Sequence, residues 1–169
     1  SLYEEIMHVP LLFVGINTPK NKIIHDLVRS LDIFPTVFDM LSIDTSTFKD
    51  KDGRSLIPML EDKKLSELPG YFHTNPHKKI TLNDKVGIRT SKYKYFRYAR
   101  ESSEKINLYD LSKDPQENNN IASENPAIVK EMEAILEGLT KNATIDEPEK
   151  LTKKQEKIVE KQLKEMGYI

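Results

Sequence analysis

The chain contains no cysteine, which excludes disulfides, thiolate metal sites and a cysteine nucleophile; the compartment stays open, because disulfide-free proteins occur in every one. It carries almost no net charge, since 26 Lys and Arg against 27 Asp and Glu leave -1 at pH 7. No global field draws it to nucleic acid or to an anionic membrane, and neither is expected as a partner. No apolar run approaches the roughly 18 residues that a membrane helix requires; the longest, Val9 to Ile16, is strand-sized. The familiar catalytic patterns are absent as well: there is no Gly-x-x-x-x-Gly-Lys loop, no His-Glu-x-x-His pair and no Gly-x-Ser-x-Gly elbow. The chain opens at Ser1 without an initiator methionine, charged leader or apolar targeting core, so a fragment of a longer protein is expected.

What is present suffices for one ordinary domain, or a small domain and a piece of another: 169 residues, 37% hydrophobic and 31% charged. Val9 to Ile16 is apolar without alternation, the pattern of a strand covered on both faces in a parallel or mixed α/β sheet. A short buried helix is expected from Ile33 to Leu41, with Asp32 as N-cap and Pro35 in the first turn. A polar stretch from Asp44 to Lys64 holds a turn at Asp50 to Gly53 and an apolar hook from Ser55 to Leu60. Strands follow at Tyr71 to Thr74, Lys85 to Thr90, Tyr93 to Tyr98 and Leu108 to Leu111, together a small antiparallel sheet. In the third, Tyr93, Tyr95 and Arg97 share one face, and Lys94, Phe96 and Tyr98 the other.

Asn125-Pro126 supplies an N-cap and an N1 proline for an amphipathic helix over 126–140, whose Ile128, Met132, Ile135, Leu136 and Leu139 pack on the sheet. A linker over 141–150 leads to a tail helix over 152–166, opened by the capping box Thr152-x-x-Gln155. Asp50-x-Asp52-Gly53 with Glu61 resembles a calcium loop only superficially, because the glycine comes too early and Arg54 occupies an oxygen position. His73 and His77 are separated by Pro76 and do not share a helix face as a metal pair would, although both suit the lining of a pocket. His8 has a structural place beside nearby carboxylates, and the Asn142-Ala143-Thr144 sequon carries little weight.

The order of these segments resembles the C-terminal portion of the sulfatases, a branch of the alkaline-phosphatase-like superfamily. Tyr3-Glu4-Glu5 with His8-Val9-Pro10 is similar to the family's segment of tyrosine, acidic pair, basic residue and Val-Pro. Ser30-Leu31-Asp32-Ile33-Phe34-Pro35-Thr36 is similar to its Ser-x-Asp-x-x-Pro-Thr turn, and Asp52-Gly53-Arg54-Ser55-Leu56 to its Asp-Gly-x-Ser-Leu hook. Arg89-Thr90-Ser91-Lys92-Tyr93-Lys94 resembles its Arg-Thr-x-x-Tyr-Lys hairpin. Leu108-Tyr109-Asp110-Leu111, Asp114-Pro115, Glu117 and Asn118 follow its late pattern, and Met166-Gly167-Tyr168-Ile169 resembles microbial tails.

The resemblance implies a fold running from α/β to α+β: residues 1–62 as the end of an alkaline-phosphatase-like catalytic domain, and 63–169 as a subdomain with an antiparallel sheet and a C-terminal helix. It implies a sulfuric ester hydrolase that uses a divalent cation, usually calcium, and a formylglycine made from Cys or Ser in a Cys/Ser-x-Pro-x-Arg motif. That motif is absent here, and the family's late metal pair and lysine lie just upstream of the segment matching Ser1 to Glu4. No catalytic or metal residue is therefore expected in this chain.

His73, Thr74 and His77 are the candidates for the substrate cleft, while Arg89, Lys92 and Lys94 are assigned to a structural hairpin. The implied partners are the N-terminal catalytic part of the same protein and a sulfate-ester substrate. A dimer or strand exchange is expected if Val9 to Ile16 has lost its neighbours. Two alternatives stay open: a phosphonate monoester hydrolase or phosphodiesterase of the same superfamily, and a non-catalytic binding or packing module.

Overall fold

A computed structural model describes residues 2–15, 18–44, 46, 52–74, 83–100, 105–141, 162 and 164. Four strands, β1 (Gly70–His73), β2 (Lys85–Arg89), β3 (Tyr93–Tyr98) and β4 (Asn107–Asp110), form an antiparallel meander in the order β1-β2-β3-β4. The helix α4 (Pro126–Thr140) covers one face. Ahead of the sheet stand the one-turn helix α1 (Glu4–Met7), a 3-10 turn at Ser30–Asp32, α2 (Ile33–Met40) and the one-turn α3 (Ile57–Leu60).

Alternation in β3 decides what each face packs against. Tyr95 pairs with Ile88 and Leu108, and these side chains meet Met132 and Leu136 of α4, with Ile128, Val129 and Ile135 around them. Phe96 faces the other way and, with Phe72, Tyr109 and Leu111, packs against Leu2. The ring of Tyr3 meets Phe96 and Tyr109 edge-on, each at 6.4 Å between centroids. The sheet is thus held between α4 and the first residues of the chain.

Gly87, in β2, makes the second of these layers possible. A Cβ there would lie 2.3 Å from the Tyr95 carbonyl oxygen and 2.6 Å from both Phe72 Cζ and Phe96 Cβ. Gly87→Ala is expected to lower stability by about 1–3 kcal/mol, as overpacking of a filled core does. A lowered urea midpoint with unchanged slope is the observation that checks it.

The strands and α4 lie within a residue or so of the sequence expectation, and the turn joining β2 to β3 is closed at Thr90 and Tyr93. Four details differ. Val9 to Gly15 makes no strand, and Val9, Leu12 and Val14 are largely exposed; an apolar strand needs neighbours on both sides, and no described strand reaches it. α2 forms, but Thr36 is its only buried residue, and Ile33 and Phe34 are exposed.

Asp32 does not cap α2 with its side chain, because its carboxylate is engaged by Arg29 and Arg54. Asn125 likewise does not cap α4; its amide donates back to the Ile121 carbonyl. Of the tail helix over 152–166, only Gln162 and Lys164 are described, and both are helical; the remainder and the sequon lie outside the described residues. Among the described residues no helix is long and apolar enough to cross a membrane.

Candidate functional site

The most heavily charged interior of the molecule lies where β2 and β3 meet the chain's first residues. Arg89 and Lys94 are cross-strand partners, and both point away from α4, so two cations stand side by side under a hydrophobic layer. Like charges in that position are costly unless anions neutralise them. Glu4 and Glu117 do so.

The Glu4 carboxylate accepts from Arg89 Nη2 at 2.9 Å and from Arg89 Nε at 3.1 Å, and stands 3.3 Å from Lys94 Nζ. Lys94 is completely buried, and its Nζ lies 2.9 Å from Glu117 Oε1, an ion pair rather than an aligned hydrogen bond. The other Glu117 oxygen accepts the Glu4 backbone N–H at 2.6 Å. Two cations and two carboxylates therefore close a neutral cluster that ties α1, β2, β3 and the turn after β4 together.

A second cluster joins the 3-10 turn to the hook before α3. Asp32 is 1% exposed. Its carboxylate accepts from the Arg29 guanidinium at 2.8 Å and from the backbone N–H of Arg29 and of Arg54, each at 3.0 Å. The Thr36 hydroxyl donates to the Asp32 carbonyl and accepts the Leu56 N–H. Gly53 fits because its Cα passes against the Leu31 carbonyl, where a Cβ would sit 1.9 Å from the oxygen. A third group fastens α4: Arg97 forks onto Glu133, with Nη2 at 2.7 Å, and the Tyr95 hydroxyl donates to the same carboxylate.

These carboxylates are tuned as paired groups are. Burial acts to raise Glu4, yet the hydrogen bond and charge of Arg89, with the charge of Lys94, hold it below the ordinary value. Burial acts likewise on Asp32 and Glu133, and is outweighed by Arg29 with the Arg54 backbone, and by Arg97 with Tyr95. A carboxyl depressed in the folded state stabilises the fold above its unfolded value, and that contribution disappears as pH falls through the depressed value. The melting temperature is expected to fall progressively below about pH 4.5, where unfolded carboxyls begin to hold protons. Circular-dichroism melts across pH 3 to 7, taken as about the range of interest, check this; a melting temperature that rises on acidification contradicts it.

In these clusters each of Glu4, Glu117, Asp32 and Glu133 lies against a cation, Arg89, Lys94, Arg29 or Arg97. Among the described residues, no group of three or more His, Asp or Glu side chains is placed to hold a metal ion. The described residues therefore do not fit a calcium centre, and without a Cys/Ser-x-Pro-x-Arg motif the chain does not supply a formylglycine.

The sequence-derived cleft candidates fall as follows. His73 is half-buried, with Nε2 shielded from solvent and without a hydrogen-bond partner among the described residues. Thr74 is exposed just past β1, and its Oγ1 accepts the Lys85 N–H at 2.9 Å. His77 lies outside the described residues. Pairing alternates across β1, so His73 belongs with Val86 on the α4 side and Thr74 with Lys85 on the other.

Arg89 and Lys94 are structural, as the hairpin assignment requires, and Lys92 lies over the Tyr93 ring at 4.8 Å. His8 is exposed, with Nδ1 4.0 Å from Glu4. Sequence reasoning missed Glu4 and Glu117 as the counterions. The signal was there in Lys94, a cation on the same strand face as Phe96.

Two concavities of about 280 Å³ each open on the first part of the chain. One is polar, with His25, Asp26, Arg54 and Glu67 on its wall. The other is an apolar groove with Leu11, Phe13, Ile23 and Leu60. Leu12 and Ile23 of its lining are more than half exposed, as are Val14 and Leu41 elsewhere in the first part of the chain.

Arylsulfatase K of Gallus gallus is 32% identical over 148 residues, which cover 82% of this chain and 27% of that protein. Delta 4,5-hexuronate-2-O-sulfatase of Bacteroides thetaiotaomicron is 33% identical over 129 residues, 73% of this chain and 26% of its own length. The chain thus spans about a quarter of the length of the curated relatives it matches.

Among solved structures, a 2-O GAG sulfatase shares the fold with a TM-score of 0.52 at 27% identity, over 65% of this chain and 24% of that one. Phosphonate monoester hydrolase of Agrobacterium radiobacter shares it at 0.51 and 26% identity, over 73% and 27%. Residues 1–144 match the family described as N-sulphoglucosamine sulphohydrolase, C-terminal, and the chain accordingly belongs to this family of sulfatase C-terminal regions.

Proposed function

We propose that this chain is the C-terminal portion of a sulfuric ester hydrolase, supporting the fold and bordering the substrate cleft while the chemistry is performed upstream. The observation that carries the reading is the combination of a family match over 1–144 with an apolar Val9 to Gly15 that pairs with no described strand. That segment has the composition of an interior strand. Residues 1–62 would complete the sheet of the catalytic part, and 63–169 would form the bordering subdomain. His73, Thr74 and His77 would approach the group that bears the sulfate. The calcium ion and formylglycine of such an enzyme would be held by the N-terminal part, since the described residues do not fit the ion and the sequence has no Cys/Ser-x-Pro-x-Arg motif.

The similarity to a phosphonate monoester hydrolase supports a second reading, in which the fold is kept and the ester is a phosphonate or phosphate diester. The full-length protein assayed with calcium on matched aryl sulfate and aryl phosphate diester substrates separates them. Preferential turnover of the sulfate is expected, and preference for the diester would move the protein to the second reading. If the exposed segment instead pairs between copies of this chain, sedimentation of the isolated 169-residue chain would show a dimer.

A further inference from the structure

The end of the sheet nearest Thr74 carries a row of side chains that the three neutral clusters do not use. Thr74 is bonded to Lys85 through Thr74 N–H to Lys85 O at 3.0 Å and Lys85 N–H to Thr74 Oγ1 at 2.9 Å. Lys85 is the cross-strand partner of Tyr98. Lys105 lies two residues before Asn107, which pairs with Phe96, so it comes opposite Tyr98. Thr74, Lys85, Tyr98 and Lys105 therefore line up across all four strands on the face away from α4. The row crosses three inter-strand gaps of about 4.8 Å, roughly 14 Å in all.

Its chemistry is unlike that of the interior. Lys85 Nζ stands 5.3 Å from the Tyr98 ring centroid and 5.5 Å from that of Phe96, and Lys105 Nζ stands 5.4 Å from the Tyr98 centroid. Two ammonium groups converge on one ring. Neither pairs with a carboxylate of a described residue, whereas Arg29, Arg89, Lys94 and Arg97 all do. A ring quadrupole holds a cation in place without neutralising it. The Thr74 hydroxyl, whose oxygen accepts from Lys85, keeps its hydrogen to donate. The row thus offers two positive charges that no described carboxylate pairs, a hydroxyl donor and an aromatic edge, spaced for an extended ligand with anionic groups.

We propose that Thr74, Lys85, Tyr98 and Lys105 form a binding row for a sulfated saccharide at this end of the sheet. The choice of a saccharide rests on the sulfuric ester hydrolase reading; the row itself does not. Single-stranded nucleic acid also combines anions with flat faces, but a chain of net charge -1 lacks the wider positive field that such ligands use.

The test is calorimetric titration of the full-length protein with a heparin-derived sulfated tetrasaccharide, its desulfated counterpart and an oligothymidylate, each at two salt concentrations. The sulfated sugar is expected to bind, the desulfated one at least about tenfold more weakly. Lys85→Ala/Lys105→Ala is expected to lose about tenfold in affinity and to flatten the salt dependence, while the two arginine replacements restore both. If the double variant does not fold, Lys105→Gln, on an exposed side chain, carries the same comparison.

Equal binding of both sugars, tighter binding of the oligothymidylate, or a folded alanine variant with wild-type affinity would each overturn the row. Turnover of an aryl sulfate by the same preparation reports separately on the enzyme reading. Binding that depends on Lys85 and Lys105 without such turnover supports the row and counts against the enzyme reading.

Discussion

Replacing Lys94 with methionine should destabilise the chain by about 3–5 kcal/mol, the usual cost of removing one partner from a buried ion cluster. Lys94 has no exposed surface, and Glu117 beneath it is 1% exposed at the side chain. Without the ammonium, the Glu117 carboxylate is left buried with only the Glu4 N–H for company, while Arg89 still neutralises Glu4. The damage should therefore be specific to Glu117, and Lys94→Met/Glu117→Gln should recover more than about 1 kcal/mol of it. Urea unfolding followed by circular dichroism measures both. If the single variant is as stable as the parent chain, the cluster does not hold the first residues to the sheet.

The second large effect is expected at Asp32. Asp32→Ala removes a carboxylate that receives the Arg29 side chain and two backbone N–H groups, leaving a guanidinium only 11% exposed without its counterion. A loss of about 3 kcal/mol is expected. It should be felt locally, since Asp32 and Thr36 are what fasten the 3-10 turn and α2 to the hook at Gly53 to Leu56. Amide exchange should accelerate most at Arg54, whose N–H loses its acceptor, less at Leu56, whose Thr36 acceptor is anchored to the Asp32 backbone carbonyl that alanine keeps, and stay slow in β2 and β3. Uniform acceleration across the chain would show instead that the two clusters unfold together.

Both sites show what a sequence reveals and what it hides. β3 and α4 are legible because their signals are local: alternation from Tyr93 to Tyr98, and a 3.6-residue spacing behind Asn125-Pro126. The pairing of Glu4 with Lys94 spans 90 residues, and no periodicity carries it.

Five segments that resemble sulfatase motifs look unrelated along the chain, yet in space they combine. The Tyr3-Glu4-Glu5 segment, the Arg89 to Lys94 hairpin and the Glu117 turn share one ion cluster. The Asp32 to Thr36 turn and the Asp52 to Leu56 hook share the other. Local capping logic failed at Asp32 for the same reason: its strongest partners include a backbone N–H 22 residues away.

Val9 to Gly15 went the other way. Its composition is that of an interior strand, yet the described residues offer it no pairing and no strand forms there. Of the cleft candidates, Thr74 lies beside Lys85 on the face away from α4, a neighbourhood that depends on strand pairing. The neighbouring Lys105 and Tyr98 escaped notice because a row across strands is a property of register rather than of sequence.

In the proposed reading, a sheet locked by its own charges is joined to a first part that the rest of a longer hydrolase would cover. Hydrogen exchange at Val9 and Leu11 to Gly15, measured in the isolated 169-residue chain and in the full-length protein, tests that most directly. These amides should exchange freely in the isolated chain and become strongly protected in the full-length protein, with β2 and β3 protected in both. Equal exchange in the two, whether fast or slow, would contradict it.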